Sequence, residues 1–127
     1  MIFGIGTDLI EVQRIERAIK RNRFLQIVYT PAEQQMIAGR ASKAAGNFAV
    51  KEAVVKAFGT GFGKIKPKEI EVLREENGKP YVVCYGNAKE YLQKHNISKI
   101  HVSISNLKEY AQAFVVMECW THTQETN

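Results

Sequence analysis

Phe48-Ala-Val-Lys-Glu-Ala-Val-Val-Lys-Ala-Phe-Gly-Thr-Gly61 decides the fold. At about 100° per residue, its apolar positions Phe48, Ala49, Ala53, Val54, Val55, Ala57 and Phe58 cover nearly every side of a helix. A helix that is apolar all round belongs in a core. This one also carries Lys51, Glu52 and Lys56 on one arc, with Glu52 and Lys56 four apart on a shared face. Charges in a buried helix are costly unless they are paired or bind a metal. The stretch therefore predicts a central helix that also carries a site. Gly59 and Gly61 predict its end.

Working outward, Ile2 to Ile5 reads as a short strand. Thr7 or Asp8 then caps a helix that runs to about Arg21, with Glu11 three residues after Asp8 in capping-box position. Thr30-Pro31-Ala32-Glu33 is a stronger start signal, joining a Thr cap, Pro at the first helical position and Glu at the third. That helix ends around Gly39 to Ala41, and Gly46-Asn47 precedes the buried helix.

Past Gly61 the pattern changes to alternation. Ile70 to Arg74 and Pro80 to Tyr85 read as strands joined by Glu76-Asn77-Gly78-Lys79, where Asn-Gly favours a type I′ hairpin turn. Asn87 to Lys94 reads as a helix. Ile100 to Ser105 and Ala111 to Glu118 read as a strand pair. With no repeat or linker, these elements predict one α+β domain over residues 1–120 and a polar tail, frayed, over 121–127. The architecture expected is a small antiparallel sheet packed against a buried central helix and further helices.

The chain has 127 residues, 45% apolar and 24% charged, which suits one soluble domain with a modest core. No apolar run reaches the roughly 18 residues that span a bilayer. The first residues lack the basic start and long apolar core of a signal peptide. Cys84 and Cys119 sit in apolar segments without ligand spacing, so they read as reduced thiols of a cytoplasmic protein. The net charge of +5 is uneven: residues 11–43 hold seven Lys/Arg against three Glu, and residues 51–66 hold four Lys against one Glu. A basic first half implies an acidic partner or a solvated face.

Two glycine-rich stretches invite phosphate readings. Gly4-Ile-Gly-Thr-Asp8 is followed by Leu9, so the dinucleotide fingerprint fails. Gly59-Thr-Gly-Phe-Gly-Lys64 follows a helix and lacks the Ser/Thr after Lys that a Walker loop uses. Its amides are nonetheless read as free to bind an anion. Asp8 is a helix cap or a metal ligand. Asp8 and Glu52, with lysines and a glycine turn nearby, suit magnesium held by two carboxylates, waters and substrate phosphates. His95, His101 and His122 form no cluster, and no nucleophile elbow surrounds Ser103 or Ser105. A basic nucleic-acid module is the competing reading, but only Phe24 and Tyr29 interleave the charged segment and no helix-turn-helix stands out.

Gly4-Ile-Gly-Thr-Asp8 with Arg14, then the whole of Phe48 to Gly61, resembles the holo-[acyl-carrier-protein] synthases, which are 4′-phosphopantetheinyl transferases. Ile70-Glu-Val72, Gly78-Lys-Pro80, His101-Val-Ser-Ile-Ser105 and Tyr110-Ala111 add matches in the right order. The resemblance implies transfer of the phosphopantetheine arm of coenzyme A to a serine of an acidic apo acyl carrier protein. It implies a homotrimer with active sites at its interfaces. It implies magnesium on Asp8 and Glu52, with Lys56 neutralising charge on the diphosphate. Lys51 and Gly59, Thr60 and Gly61 would contact coenzyme A, and Arg14, Arg17, Arg21 and Phe24 would dock the carrier. Neither nucleic acid nor membrane is implied as a partner. Two positions depart: many members have Arg where this chain has Asn47, and His where it has Asn106. Both are associated with the phosphate on the adenosine side of the ligand, so the departures imply either weaker coenzyme A binding or a contact shifted to another residue such as Lys43 or Lys64.

Overall fold

A computed structural model describes residues 1–120 of the chain. The polar tail expected over 121–127, with His122, lies outside the described residues. Three antiparallel strands form the main sheet. They are β1 (Ile2–Glu11), β4 (Ile97–Asn106) and β5 (Tyr110–Cys119), in the order β1-β5-β4. A separate hairpin joins β2 (Ile70–Arg74) to β3 (Pro80–Cys84). The helices are α1 (Val12–Ile19), α2 (Asn22–Val28), α3 (Pro31–Ile37), α4 (Ala41–Phe58) and α5 (Gly86–Lys94). The α+β architecture matches the expectation, with α4 buried as the 48–61 stretch predicts.

Helix α4 lies on the inner face of β1 and β5. Ala111, Ala113, Val115 and Met117 of β5 point inward and are fully buried. On β1 the contact is closer still. A Cβ placed on Gly4 would overlap the Ala57 carbonyl, and one on Gly6 the Ala53 carbonyl. These glycines are therefore needed for space: the backbone of the helix rests on the backbone of the strand. Two strand residues advance about 6.6 Å and four helix residues about 6 Å, so the two repeats stay in step along the contact.

The structure corrects the N-terminal reading. Strand β1 runs to Glu11 and α1 starts at Val12, so neither Thr7 nor Asp8 caps a helix. Partner strand β5 explains why. It pairs with β1 throughout, Asp8 opposite Ala113 and Glu11 opposite Tyr110. A continuous ladder outweighs one local capping signal. Helix α4 also begins earlier than expected, at Ala41, and contains Gly46 and Asn47. A Cβ on Gly46 would stand 3.3 Å from Ile104, so this glycine too is a packing residue. Helix α2 carries no side-chain cap bond and is absent from the sequence reading.

Other signals hold. Thr30 and Glu33 form the capping box of α3, and Gly59 closes α4 in the left-handed region at φ 83°. The hairpin turn sits where expected but differs in type. Gly78 is left-handed at φ 89° while Asn77 is not, and the Gly78 N–H donates to the Glu75 carbonyl at 2.8 Å. That is a type I turn completed by a glycine bulge, not type I′.

Beneath α3 and α4 lies a buried ion pair. Lys51 Nζ donates to Glu33 Oε1 at 2.8 Å, and to the carbonyls of Pro67 and Ile70. Both side chains are fully enclosed. The other Glu33 oxygen accepts from Asn47 Nδ2 and from the Val72 N–H. One carboxylate thus ties α3, α4 and β2 together. Burial pushes the Lys51 ammonium below its ordinary range, and Glu33 opposes that push.

Two stability outcomes follow, both read by urea denaturation. Gly6→Ala should lower the unfolding free energy by about 2 kcal/mol or more, while Gly63→Ala, where an added Cβ meets nothing within 4 Å, should change it little. Glu33→Ala should cost about 3–5 kcal/mol by leaving Lys51 unpaired and Asn47 Nδ2 and the Val72 N–H without their acceptor.

Candidate functional site

Alternation along β1 places Gly4, Gly6, Asp8 and Ile10 on the face toward α4. The glycines bring strand and helix together, and Asp8 is the next inward side chain. Its carboxylate is only 17% exposed. Lys56 reaches it from α4: Nζ donates to Asp8 Oδ1 at 3.1 Å and to the Thr7 carbonyl at 3.0 Å. Glu52 lies one turn earlier on the same helix and is half-buried. Burial, and then the nearby Asp8 charge, push its carboxyl above the ordinary range, while Lys56 and Arg14 pull the other way. Asp8, Glu52, Lys56 and Arg14 therefore form one cluster contributed by β1, α4 and α1.

Two carboxylates held close raise each other's electrostatic cost, and a divalent cation between them would relieve it. Among the described residues no group of three His, Cys, Asp or Glu could form a full metal cage. A pair is nevertheless what Mg²⁺ takes, since it keeps several waters and uses substrate phosphates for the rest of its shell. The residues fit such an ion.

The cluster sits beside a basic groove. Phe48, Glu52 and Lys56 are spaced at four-residue steps and make one stripe along α4. A cavity of about 450 Å³ is lined by Arg14, Ile15, Arg17, Arg21, Phe24 and Phe48. All four residues expected to dock an acidic partner are there. Phe24 and Phe48 stack with ring centroids 6.0 Å apart and give the groove an apolar floor. From sequence Phe48 reads only as core; its four-residue spacing from Glu52 is the signal that it also lines this groove.

Beyond the end of α4, a second cleft of about 260 Å³ is lined by Thr60, Gly61, Lys64, Ile65, Tyr91 and Lys94. The family resemblance implies a coenzyme A contact for Thr60 and Gly61 and offers Lys64 as an alternative phosphate contact. It gives no hint of Tyr91 or Lys94, which arrive from α5 by tertiary packing. Gly59 stands at the turn without lining the cleft.

Two expectations fail. Lys51 does not reach the site. It turns inward toward α3 and β2, is wholly enclosed, and has its donors bound by Glu33, Pro67 and Ile70, so no coenzyme A contact is open to it. The amides of the glycine turn are not free either. Those of Gly59, Thr60 and Gly61 all converge on the Val55 carbonyl, at 3.1 to 3.3 Å, and close the helix. The turn can offer a ligand its surface and the Thr60 hydroxyl, but not an amide nest.

Asn47 is buried against Glu33 and Val72 and faces no cleft. Asn106 donates to the Ser42 carbonyl. Beside it, Lys43 and Arg74 line a groove of about 250 Å³. Neither cation forms a salt bridge among the described residues, whose ion pairs are Lys51–Glu33, Lys56–Asp8 and His101–Glu118.

The model of the 4′-phosphopantetheinyl transferase superfamily matches residues 4–115 of the chain. A holo-[acyl-carrier-protein] synthase of Lachnoclostridium phytofermentans is 57% identical over 118 residues, covering 93% of this chain and 97% of that protein. The crystal structure of the Helicobacter pylori holo-[acyl-carrier-protein] synthase in complex with coenzyme A is similar at TM-score 0.82 and 32% identity, covering 90% of this chain and 99% of that one. The Bacillus anthracis synthase, in complex with CoA (3′,5′-ADP), is similar at TM-score 0.79 and 36% identity, covering 94% of this chain and 99% of that one.

The raised Glu52 carboxyl gives a test of stability against function. A group whose folded pKa exceeds its unfolded value adds stability below the unfolded pKa and loses it as pH rises through the folded pKa. The ionised form of Glu52 is therefore held at a cost. Glu52→Gln should melt no lower than the unaltered protein at pH 7 in the absence of divalent cations, as read by differential scanning calorimetry. A clear drop would mean that Glu52 is a structural partner, not a strained one.

Proposed function

The chain belongs to the 4′-phosphopantetheinyl transferase superfamily, and from that premise we propose that it moves the 4′-phosphopantetheine arm of coenzyme A to a serine of an apo acyl carrier protein. It is a transferase. The serine Oγ forms a new P–O bond, the anhydride P–O bond breaks, the hydroxyl proton departs, and adenosine 3′,5′-bisphosphate leaves. What supports the reading is the cluster of Asp8, Glu52, Lys56 and Arg14, with Arg14 also lining the basic groove along α1 and a second cleft beyond the end of α4.

Phosphoryl transfer needs positioning and charge neutralisation more than covalent help from the protein. Asp8 and Glu52 would hold magnesium, which supplies Lewis-acid neutralisation of the diphosphate. Lys56 brings a half-exposed ammonium to the same place. Thr60, Gly61 and Lys64 line the cleft that would take the nucleotide end of coenzyme A, with Gly59 setting the turn. Arg14, Arg17 and Arg21 steer an acidic carrier, and Phe24 with Phe48 receives an apolar side chain of the carrier. That apolar floor favours a protein helix over a nucleic-acid backbone.

Assembly as a homotrimer with interfacial sites is part of the same reading. The outer face of the sheet exposes Ile5, Leu9, Tyr110 and Phe114, each at least 41% exposed, on paired strands β1 and β5. A second copy of the chain would cover that face. No helix is long and apolar enough to cross a membrane, and the cytoplasm, where coenzyme A and carrier meet, is the compartment that this function needs.

The test is intact-mass spectrometry of apo acyl carrier protein after incubation with this protein, coenzyme A and Mg²⁺. The carrier should gain one phosphopantetheine, and a chelator should block the gain. No gain across several carriers contradicts the reading. Arg17→Glu should raise KM for the carrier about tenfold with kcat little changed.

A further inference from the structure

Among the described residues Asp8 Oδ1 has one cationic partner in hydrogen-bond contact, Lys56 Nζ, at 3.1 Å. The same ammonium is anchored on the Thr7 carbonyl at 3.0 Å, so both of its acceptors belong to β1. A cation on Asp8 would share that oxygen's surroundings with Lys56. An ammonium and a divalent ion a few ångströms apart repel, and Asp8 is mostly covered while Lys56 keeps solvent on its outer side. We propose that Lys56 is a competitor for the Asp8 carboxylate, which keeps the cation weakly held until a diphosphate offers the ammonium another acceptor.

The inference rests on the cation reading given above and adds an order of events to it. Lys56 extends from the exposed side of α4, with 53% of its side chain in solvent, so it is free to swing. A diphosphate entering the cluster presents oxygens that accept from Nζ, and the Thr7 carbonyl can keep its own bond meanwhile. Removal of the ammonium from Asp8 then frees one ligand oxygen for the divalent ion. By linkage, coenzyme A tightens the cation and the cation tightens coenzyme A to the same degree. The protein would thus avoid loading metal at a site that has no substrate to activate. Arg14, the other cation acting on Glu52, strengthens the effect from the α1 side.

The experiment measures Mn²⁺ binding by the loss of its free electron paramagnetic resonance signal, without nucleotide. The unaltered full-length protein is compared with Lys56→Met and Lys56→Gln. Both variants should bind Mn²⁺ about tenfold more tightly than the unaltered protein. Addition of Asp8→Asn to Lys56→Met should abolish the gain. Unchanged or weaker binding in the Lys56 variants overturns the proposal, as does a gain that survives Asp8→Asn. Melting curves confirm that each variant is folded, and because Lys56 is exposed both single variants should be. A failure of the cation reading itself is separate: the unaltered protein would then bind no Mn²⁺ even with saturating coenzyme A.

Discussion

The backbone-on-backbone contact between β1 and α4 is the constraint on which the rest depends. Gly4 and Gly6 leave no side chain between strand and helix, and the carbonyls of Ala57 and Ala53 occupy the space. Asp8, the next inward residue, is thereby delivered to the same helix that carries Glu52 and Lys56. Any residue larger than glycine at position 4 or 6 would lift β1 from α4 and separate the carboxylates. The motif at the N-terminus therefore has a packing reason and not a phosphate-binding one. Its glycines let β1 close on α4 and so bring Asp8 to Lys56.

Helix α4 uses its charges in two different ways. Lys51 faces inward and is matched by Glu33, two carbonyls and full enclosure. Such a pair specifies how α3, β2 and α4 meet, while its net contribution to stability is small because both ions are desolvated. Glu52 and Lys56 lie further round the helix, partly in solvent, where their charges are incompletely matched. Unmatched charge at a cleft is available for chemistry in a way that the Lys51–Glu33 pair is not. Adjacent positions in the sequence thus serve the scaffold and the site.

The sequence made the central helix legible because apolar residues on all sides have one physical meaning. Its α+β class, the capping box at Thr30 and the left-handed Gly59 were legible for similar reasons, since each is a local rule with a local cause. The cluster of Asp8, Glu52, Lys56 and Arg14 was legible through the family resemblance more than through spacing. What was missed depends on partners far away in the chain. The length of β1 is set by β5, about a hundred residues later, which is why Asp8 looked like a cap. Lys51 looked like a ligand contact because nothing near it announces Glu33. Tyr91 and Lys94 join the cleft only when α5 packs there. The amides at 59–61 looked free because glycine shows where a chain can bend, not where its N–H groups point.

A crystal structure with coenzyme A and Mn²⁺, with anomalous diffraction measured near the manganese edge, would test the placement of the site most directly. The account predicts one anomalous peak between the Asp8 and Glu52 carboxylates, in contact with the diphosphate, with Lys56 Nζ on a phosphate oxygen. A peak that engages neither carboxylate, or only one of them with Lys56 still on Asp8, would contradict it.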